Sequence, residues 1–399
     1  MAKLYDVTIS FNPADYDGEV KNVGVRGEFL FYRSNLTGHT DATGMVENDP
    51  KYPPALYEDG MDSIGGLYYR ELTLNEATGI YSTEMKLPAG MYCYSFIINA
   101  EVGEPSTDPR ASWSNFLMDD GKMHNFTDPQ MAFKSIPDPK NPPSAPTPTG
   151  PQRNSELFVG SVSDYPWIPA ERGEKGTVTY TSYKDINGAD QFLGVYLPPN
   201  YNCFEEYPVI YVSHGGGGNE ADWFSQGGIA NIMDNLIAQR KTEEAILVTM
   251  NNSVYQWDFE VIAQNMIQCV MPFVCKTFGG SRDPMLNAFC GLSMGSMTTL
   301  YMYMHHSKCW QYYGAFSGGI AEGHANFTLD DPHLMDVELL IGCAEEDIAY
   351  NEREIGVPPT IRCLKAKGIP HEEYFTTGSH DWFCWPQMFA YFAENTLWK

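Results

Sequence analysis

Ser293 stands between two glycines, Gly291-Leu292-Ser293-Met294-Gly295, after the apolar run Asn287-Ala288-Phe289-Cys290 and before a helix-compatible run from Met297 to His305. A Gly-x-Ser-x-Gly turn between a strand and a helix is a nucleophile elbow. The glycines let the chain turn so sharply that the serine is held in strained backbone with its hydroxyl proud of the sheet edge. The free N–H groups of the following helix point at the same spot and favour a developing negative charge. The chemistry this suits is attack of a hydroxyl on an acyl carbon, which needs a base and a group to orient that base.

Six histidines follow Ser293. His305 and His306 fall within the helix after the elbow, too near in sequence to reach over the serine. His324 and His333 sit in polar loop sequence ahead of the best acid. His371 opens the alternating run His371-Glu372-Glu373-Tyr374-Phe375, and His380 lies in the loop after it, Thr376-Thr377-Gly378-Ser379-His380-Asp381-Trp382. A loop at the carboxyl end of the last strand is where a base belongs in a parallel sheet, so His380 is the expected base and His371 the alternative. Val337 to Cys343 reads as a buried strand followed by the loop Ala344-Glu345-Glu346-Asp347. Asp347, with the shorter side chain and furthest along the loop, is the expected acid, with Glu346 as its rival and a merely solvated acidic loop as the bland reading. The β-rich run Tyr207 to Ser213 ends in His214-Gly215-Gly216-Gly217-Gly218. A His-Gly-Gly-Gly loop supplies the second donor of an oxyanion hole, so the amides of Gly216 and Met294 are the expected pair. Each such donor is worth on the order of 3 kcal/mol in the transition state. His214 itself reads as a brace beneath the loop.

Those side chains need a sheet to hold them. After the proline-rich run that ends at residue 153, β-rich and helix-compatible runs alternate; Ala245 to Met250 reads as a strand, and Asp258 to Phe278 as an amphipathic helix stopped by Gly279-Gly280. This alternation predicts a mostly parallel sheet with helices on both faces. Before residue 136 the runs are short, alternating and separated by Gly, Pro and Asn/Asp turns, as in Val23 to Tyr32, Tyr81 to Leu87 and Met91 to Asn99. They predict an all-β, immunoglobulin-like sandwich. Between the two, residues 136–153 are rich in proline, which can form no ladder and favours an extended spacer that holds the domains apart or lies along one of them. The expected division is therefore 1–135, a sandwich; 136–153, a linker; and 154–399, an α/β-hydrolase domain.

At 399 residues the chain exceeds what one core usually supports. Its net charge of −26 argues against nucleic acid and anionic membrane surfaces as partners. The nine cysteines show no metal-like CxxC pairing, and free buried thiols are expected. Neither a metal nor an organic cofactor is called for by the serine chemistry. Met1-Ala2-Lys3-Leu4-Tyr5 does not read as a signal peptide. A chain whose leader had been removed, secreted or periplasmic, would look the same as a cytoplasmic one.

From about Lys175 onward the chain resembles carbohydrate esterase family 1, the esterase D-like group of feruloyl and acetylxylan esterases. The matching stretches are Val195-Tyr196-Leu197-Pro198-Pro199-Asn200-Tyr201, Ser213 to Trp223, Asn231 to Ile237, Gly291 to Gly295 and Gly378-Ser379-His380-Asp381-Trp382. The family triad falls on Ser293, Asp347 and His380; a departure is Ala344, where glycine is common. Leu87 to Tyr94 and Thr107-Asp108-Pro109-Arg110 resemble the family 48 carbohydrate-binding modules, though Tyr92, Tyr94 and Phe96 alternate as core residues would. The resemblance implies a serine esterase that releases ferulic and related hydroxycinnamic acids from esterified arabinoxylan or its oligosaccharides. An aromatic acid needs an apolar slot, for which Trp223, Trp257, Trp382 and Trp385 are the candidate walls. Acetylxylan esterase and enterobactin-type siderophore esterase are the rival activities, and a glycan-binding protein with an inactive hydrolase domain is the rival class.

Overall fold

In the computed structural model the described residues are 3–29, 31–32, 62–63, 68–107, 115–143, 147–149, 154–171, 173–344, 347–376 and 380–399. The N-terminal part is built from β1 (Leu4–Phe11), β2 (Val23–Gly27), β3 (Phe31–Tyr32), β4 (Asp62–Ser63), β5 (Tyr68–Glu71), β6 (Thr73–Asn75), β7 (Ile80–Pro88), β8 (Gly90–Ile98), β9 (Val102–Pro105), β10 (Asn115–Leu117), β11 (Met123–Phe126) and β12 (Ser155–Val159). One sheet has the order β1-β7-β6, and a larger one the order β12-β8-β2-β5-β10-β11-β9; β3 and β4 pair with each other. Alternate residues of β1, β2, β7 and β8 meet between the sheets, among them Ile9, Phe11, Val25, Leu87, Tyr92, Tyr94 and Phe96. Each such side chain contributes about 1.5–3 kcal/mol on burial. Tyr92, Tyr94 and Phe96 therefore fill the core, and Phe96 meets Phe11 edge-on at 5.1 Å.

The proline-rich segment is not a simple linker. Ile136 exchanges both backbone hydrogen bonds with Phe96, at 2.8 and 2.9 Å. The Tyr94 hydroxyl donates to Asp138 at 2.7 Å, the Asp138 amide to Ser155 Oγ at 2.8 Å, and Asn141 Nδ2 to the Glu156 carbonyl at 2.6 Å. Further on, the Thr147 and Thr149 hydroxyls both donate to the buried Glu220 carboxylate of the second unit. The expected boundary at residue 154 is corrected accordingly: Ser155–Val159 pairs antiparallel with β8 and is an edge strand of the larger N-terminal sheet. The unpaired flank of β8 needs a partner for its backbone groups, a demand that no property of the proline run itself announces.

The second unit carries β13 (Thr177–Lys184), β14 (Asp190–Leu197), β15 (Val209–Ser213), β16 (Ile246–Met250), β17 (Asn287–Leu292), β18 (Tyr312–Phe316), β19 (Glu338–Ala344) and β20 (Glu372–Thr376) in one sheet of order β13-β14-β16-β15-β17-β18-β19-β20. β13 and β14 are antiparallel additions at one edge, and every pairing from β16 to β20 is parallel. β15 to β18 are buried along their whole length, as strands covered on both faces must be. The helices are α1 (Asp222–Ser225), α2 (Ile229–Ala238), α3 (Phe259–Asn265), α4 (Met271–Phe278), α5 (Met294–His305), α6 (Val357–Lys367) and α7 (Trp385–Tyr391). The single helix expected over Asp258 to Phe278 is continuous but holds a π-helical turn at Met266–Val270. Pro272 follows at once; it has no N–H to return to the preceding turn, and the wider turn accommodates that gap. No helix among the described residues is long and apolar enough to cross a membrane.

Strand order reverses at β15, whose neighbours β16 and β17 lead to opposite edges. Ligands bind outside the carboxyl ends of strands at such a point, and the polyglycine loop after β15 and the serine turn after β17 both lie there. Tyr94→Phe should lower stability by about 1–3 kcal/mol, because Asp138 and Asn141 lose a buried partner. It should also speed proteolytic cleavage within the proline-rich segment; a denaturation midpoint equal to wild type would count against the tether.

Candidate active site

Ser293 is the one residue between β17 and α5, with φ 54° and ψ −117°. A side-chain-bearing residue there costs about 1–3 kcal/mol and persists only when its surroundings impose it. The Ser293 amide donates to the Phe316 carbonyl of β18 at 2.9 Å, and its carbonyl receives the Met297 amide at 3.1 Å. The flanking glycines are demanded by close backbone approach. A Cβ on Gly291 would lie 2.7 Å from the Gly295 carbonyl, and one on Gly295 would lie 2.5 Å from the carbonyl oxygens of Ser213 and His214.

His380 and Asp347 arrive from the ends of β20 and β19. His380 Nε2 is 2.9 Å from Ser293 Oγ, and His380 Nδ1 is 2.7 Å from Asp347 Oδ1. With Nδ1–H donating to the carboxylate, Nε2 is left as the acceptor for the serine hydroxyl. Asp347 is buried, and its Oδ1 also accepts the Ala349 amide at 2.7 Å. Burial pulls the His380 pKa down, but the charge and hydrogen bond of Asp347 outweigh it and the net direction is upward. Trp385 meets the imidazole edge-on at 5.1 Å. Glu345, Glu346 and residues 377–379 lie outside the described residues. His371 is not brought to the site: it precedes β20 at the opposite end of the strand, with Nδ1 at 2.9 Å from the Ile369 carbonyl.

The glycine loop lies against the elbow. A Cβ on Gly215 would sit 3.2 Å from Ser293 Cβ, and one on Gly216 would sit 3.7 Å from Met294 Cγ. Met294 opens α5, so its amide has no acceptor within the helix. Gly216 thus adjoins the Met294 side chain, and Gly215 the side chain of Ser293. His214 is a neutral brace: burial pushes its pKa down to about 4. Its Nδ1–H donates to the Gly215 carbonyl at 2.6 Å, and its Nε2 accepts the Asn252 amide at 3.0 Å.

The four tryptophans divide. Trp223 is only 1% exposed, its Nε1–H donates to the Ser213 carbonyl at 2.9 Å, and its ring packs on Phe316, Trp382 and Phe389. The expectation that it walls a substrate slot is corrected: it holds the end of β15 from beneath. Trp385 is buried likewise and backs His380. Trp257, edge-on to His214 at 5.4 Å, and Trp382 keep partial exposure. Sequence reasoning missed Asn252, whose Nδ2 donates to Ser213 Oγ at 2.8 Å. It also missed Asp381, whose Oδ1 accepts the Phe383 and Cys384 amides at 3.0 and 3.1 Å. An aspartate two residues before an amide in a turn is a signal that could have found the second.

The Esterase family model matches residues 188–324, a stretch holding the glycine loop and Ser293 but ending before Asp347 and His380. The endo-1,4-β-xylanase/feruloyl esterase of Xylanibacter ruminicola is 29% identical over 229 residues, 54% of this chain and 30% of that protein. Endo-1,4-β-xylanase Y of Acetivibrio thermocellus is 31% identical over 222 residues, 50% of this chain and 20% of that protein. The chain thus spans less than a third of the length of either relative. Among solved structures, a ferulic acid esterase of the anaerobic fungus Anaeromyces mucronatus superposes with TM-score 0.51 at 23% identity, covering 59% of this chain and 95% of that one. The enterobactin esterase of Shigella flexneri superposes with TM-score 0.50 at 14% identity, covering 97% of this chain and 92% of that one. Both structural likenesses are likenesses of fold.

Gly295→Ala should displace the elbow, since its new methyl would meet two carbonyl oxygens. The expected result is a lower melting temperature together with loss of labelling of Ser293 by a serine-directed phosphonate. Labelling at the wild-type rate would show that the turn tolerates the methyl.

Proposed function

We propose that the chain is a serine carboxylic ester hydrolase releasing ferulic and related hydroxycinnamic acids from feruloylated arabinoxylan or its oligosaccharides. The observation that carries this reading is the His380 imidazole hydrogen-bonded to Ser293 on one side and Asp347 on the other. Ser293 Oγ attacks the ester carbonyl as His380 Nε2 takes its proton, and Asp347 holds the tautomer and stabilises the imidazolium. The tetrahedral oxygen takes hydrogen bonds from the Gly216 and Met294 amides. As it collapses, His380 returns the proton to the leaving alcohol and the acyl group stays on Ser293. Water, activated by the same imidazole, then frees the acid.

The substrate class rests on the feruloyl esterase activity in the name of the Xylanibacter ruminicola relative and on the carbohydrate esterase family 1 motifs. Trp257 and Trp382, both partly exposed, are candidate apolar surfaces for an aromatic acid. The first unit is read as an immunoglobulin-like sandwich akin to family 48 carbohydrate-binding modules, whose Tyr92, Tyr94 and Phe96 are committed to its core. A second reading, hydrolysis of enterobactin-type siderophore esters, is favoured by one observation: the likeness to the Shigella flexneri enzyme runs through both units.

Methyl ferulate, acetylated xylan and linear siderophore esters, assayed with wild type and Ser293→Ala, separate these readings. Ferulate release that vanishes in the variant is expected; release of acetate alone, or of siderophore fragments alone, would replace the substrate class. Asp347→Asn should cost about 10³–10⁴-fold in kcat, because the imidazole loses the partner that fixes its tautomer. On the acid side kcat/KM should fall as His380 gains a proton. The half-maximal point should lie above about 6.5, the ordinary imidazole value, since the His380 pKa is raised. A pH-independent rate through that range would remove histidine as the base.

A further inference from the structure

The proline-rich segment grips the second unit through two hydroxyls. Those of Thr147 and Thr149 both donate to Glu220 Oε1, and Glu220 is fully buried. Its other oxygen, Oε2, is also buried and takes no hydrogen bond. A carboxyl out of water is costly without donors, so the two threonines supply the hydrogen bonding this side chain has. The Thr149 amide in turn donates to Thr147 Oγ1 at 3.2 Å, closing a small turn around Pro148 that presents both hydroxyls together.

Glu220 follows the polyglycine loop by two residues, and its main chain has an anchor of its own. Its carbonyl accepts the Thr249 hydroxyl of β16 at 2.5 Å and lies 3.0 Å from where a Cβ on Gly194 of β14 would stand. Ahead of it the Gly218 amide donates to the Gly215 carbonyl at 3.2 Å, with Gly217 at φ 76°, so Gly215 to Gly218 form one tight turn. The bond closing that turn leaves out the Gly216 amide, the donor assigned above to the oxyanion. Four glycines in a row have more backbone freedom to lose than any other residues, so the turn cannot hold that amide still by itself. Its near end is braced by His214 on the Asn252 amide. At its far end the Gly218 carbonyl accepts Ser253 Oγ at 3.1 Å, and the Asn219 amide donates to Asp222 at 3.2 Å. Through Glu220 this far end is also tied to the proline-rich segment.

Building on the hydrolase reading above, we propose that Thr147, Thr149 and Glu220 are positioning residues for the oxyanion loop. The threonines clasp the Glu220 carboxyl, Glu220 fixes the far end of the glycine turn, and the turn keeps the Gly216 amide where the tetrahedral oxygen forms. They act through the loop and not on the substrate. The segment that leads out of the first unit thereby sets the rate of a reaction whose catalytic groups all belong to the second.

An interaction made with the oxyanion is gained in the transition state, so weakening it lowers kcat and leaves KM nearly unchanged. Removing such a donor outright costs about 10²–10³-fold in kcat, and a donor displaced but still present should cost about tenfold. Thr147→Val/Thr149→Val keeps the shape of both side chains and removes both hydroxyls. The full-length variant is assayed on methyl ferulate, with rates normalised to the Ser293 that a serine-directed phosphonate labels at completion. It should lose about tenfold in kcat with KM within about twofold of wild type. A boronic acid that mimics the tetrahedral intermediate should bind about tenfold more weakly, while the product ferulate binds as before. Thr147→Ser/Thr149→Ser, which returns the hydroxyls, should recover most of both losses. A clasp that served folding alone would lower the melting temperature and leave these ratios untouched. Wild-type kcat and boronate affinity in the valine pair therefore overturn the proposal, as does a serine pair no better than the valine pair. Should the valine pair not fold, Thr147→Val and Thr149→Val singly, each keeping one hydroxyl on Oε1, carry the same test at an intermediate loss. If the wild type hydrolyses no ester, the hydrolase reading fails, and hydrogen exchange still tests the clasp. The amides of residues 215–219 should exchange faster in the valine pair than in wild type while those of β15 do not change; equal exchange would overturn the assignment.

Discussion

The structure turns on a crossing of three backbones: the end of β15, the end of β17 and the first turn of α5. Ser213, Gly291 and Gly295 approach so closely there that no Cβ fits between them. That contact, with the bond from the Ser293 amide to β18, holds Ser293 at a positive φ. Its stored strain is offset by the packing of a sheet centre that is buried on both faces. The same crossing brings the polyglycine loop beside the serine, because that loop is simply the continuation of β15.

Two further constraints complete the site, and both are indirect. Asp347 is tied into its loop by an amide two residues on, so its free choice of rotamer is spent before His380 arrives. His380 is backed by Trp385, which meets Trp382, which in turn meets Trp223, a series of edge-to-face contacts leading to the Ser213 carbonyl. The imidazole and the glycine loop therefore share one aromatic support.

Much of the site was legible in the sequence because its parts are local. The Gly-x-Ser-x-Gly turn, the polyglycine loop and the loops after the last two strands each carry short-range signals of turn chemistry and period. Their order along the chain, with the rule that such loops gather at the carboxyl ends of parallel strands, sufficed to bring Ser293, Asp347 and His380 together. What escaped reading depends on which face a side chain adopts. Trp223 and Trp385 have the composition of a binding wall, yet they are oriented inward by helices whose rotation about their axes is a tertiary matter. Likewise nothing in Ser155–Val159 announced that it would return to the larger N-terminal sheet, since an edge strand is recruited by the neighbour that lacks a partner.

That return has a consequence for how the chain is made. During synthesis β8 emerges long before β12, and for that interval the larger N-terminal sheet presents a long open flank of unpaired backbone groups, a template for association with other chains. The proline-rich segment is then a tether whose far end must come home, and the sandwich is finished only after its emergence. The two units are thus coupled in time as well as in space, with the stretch that seals the first also beginning the approach to the second.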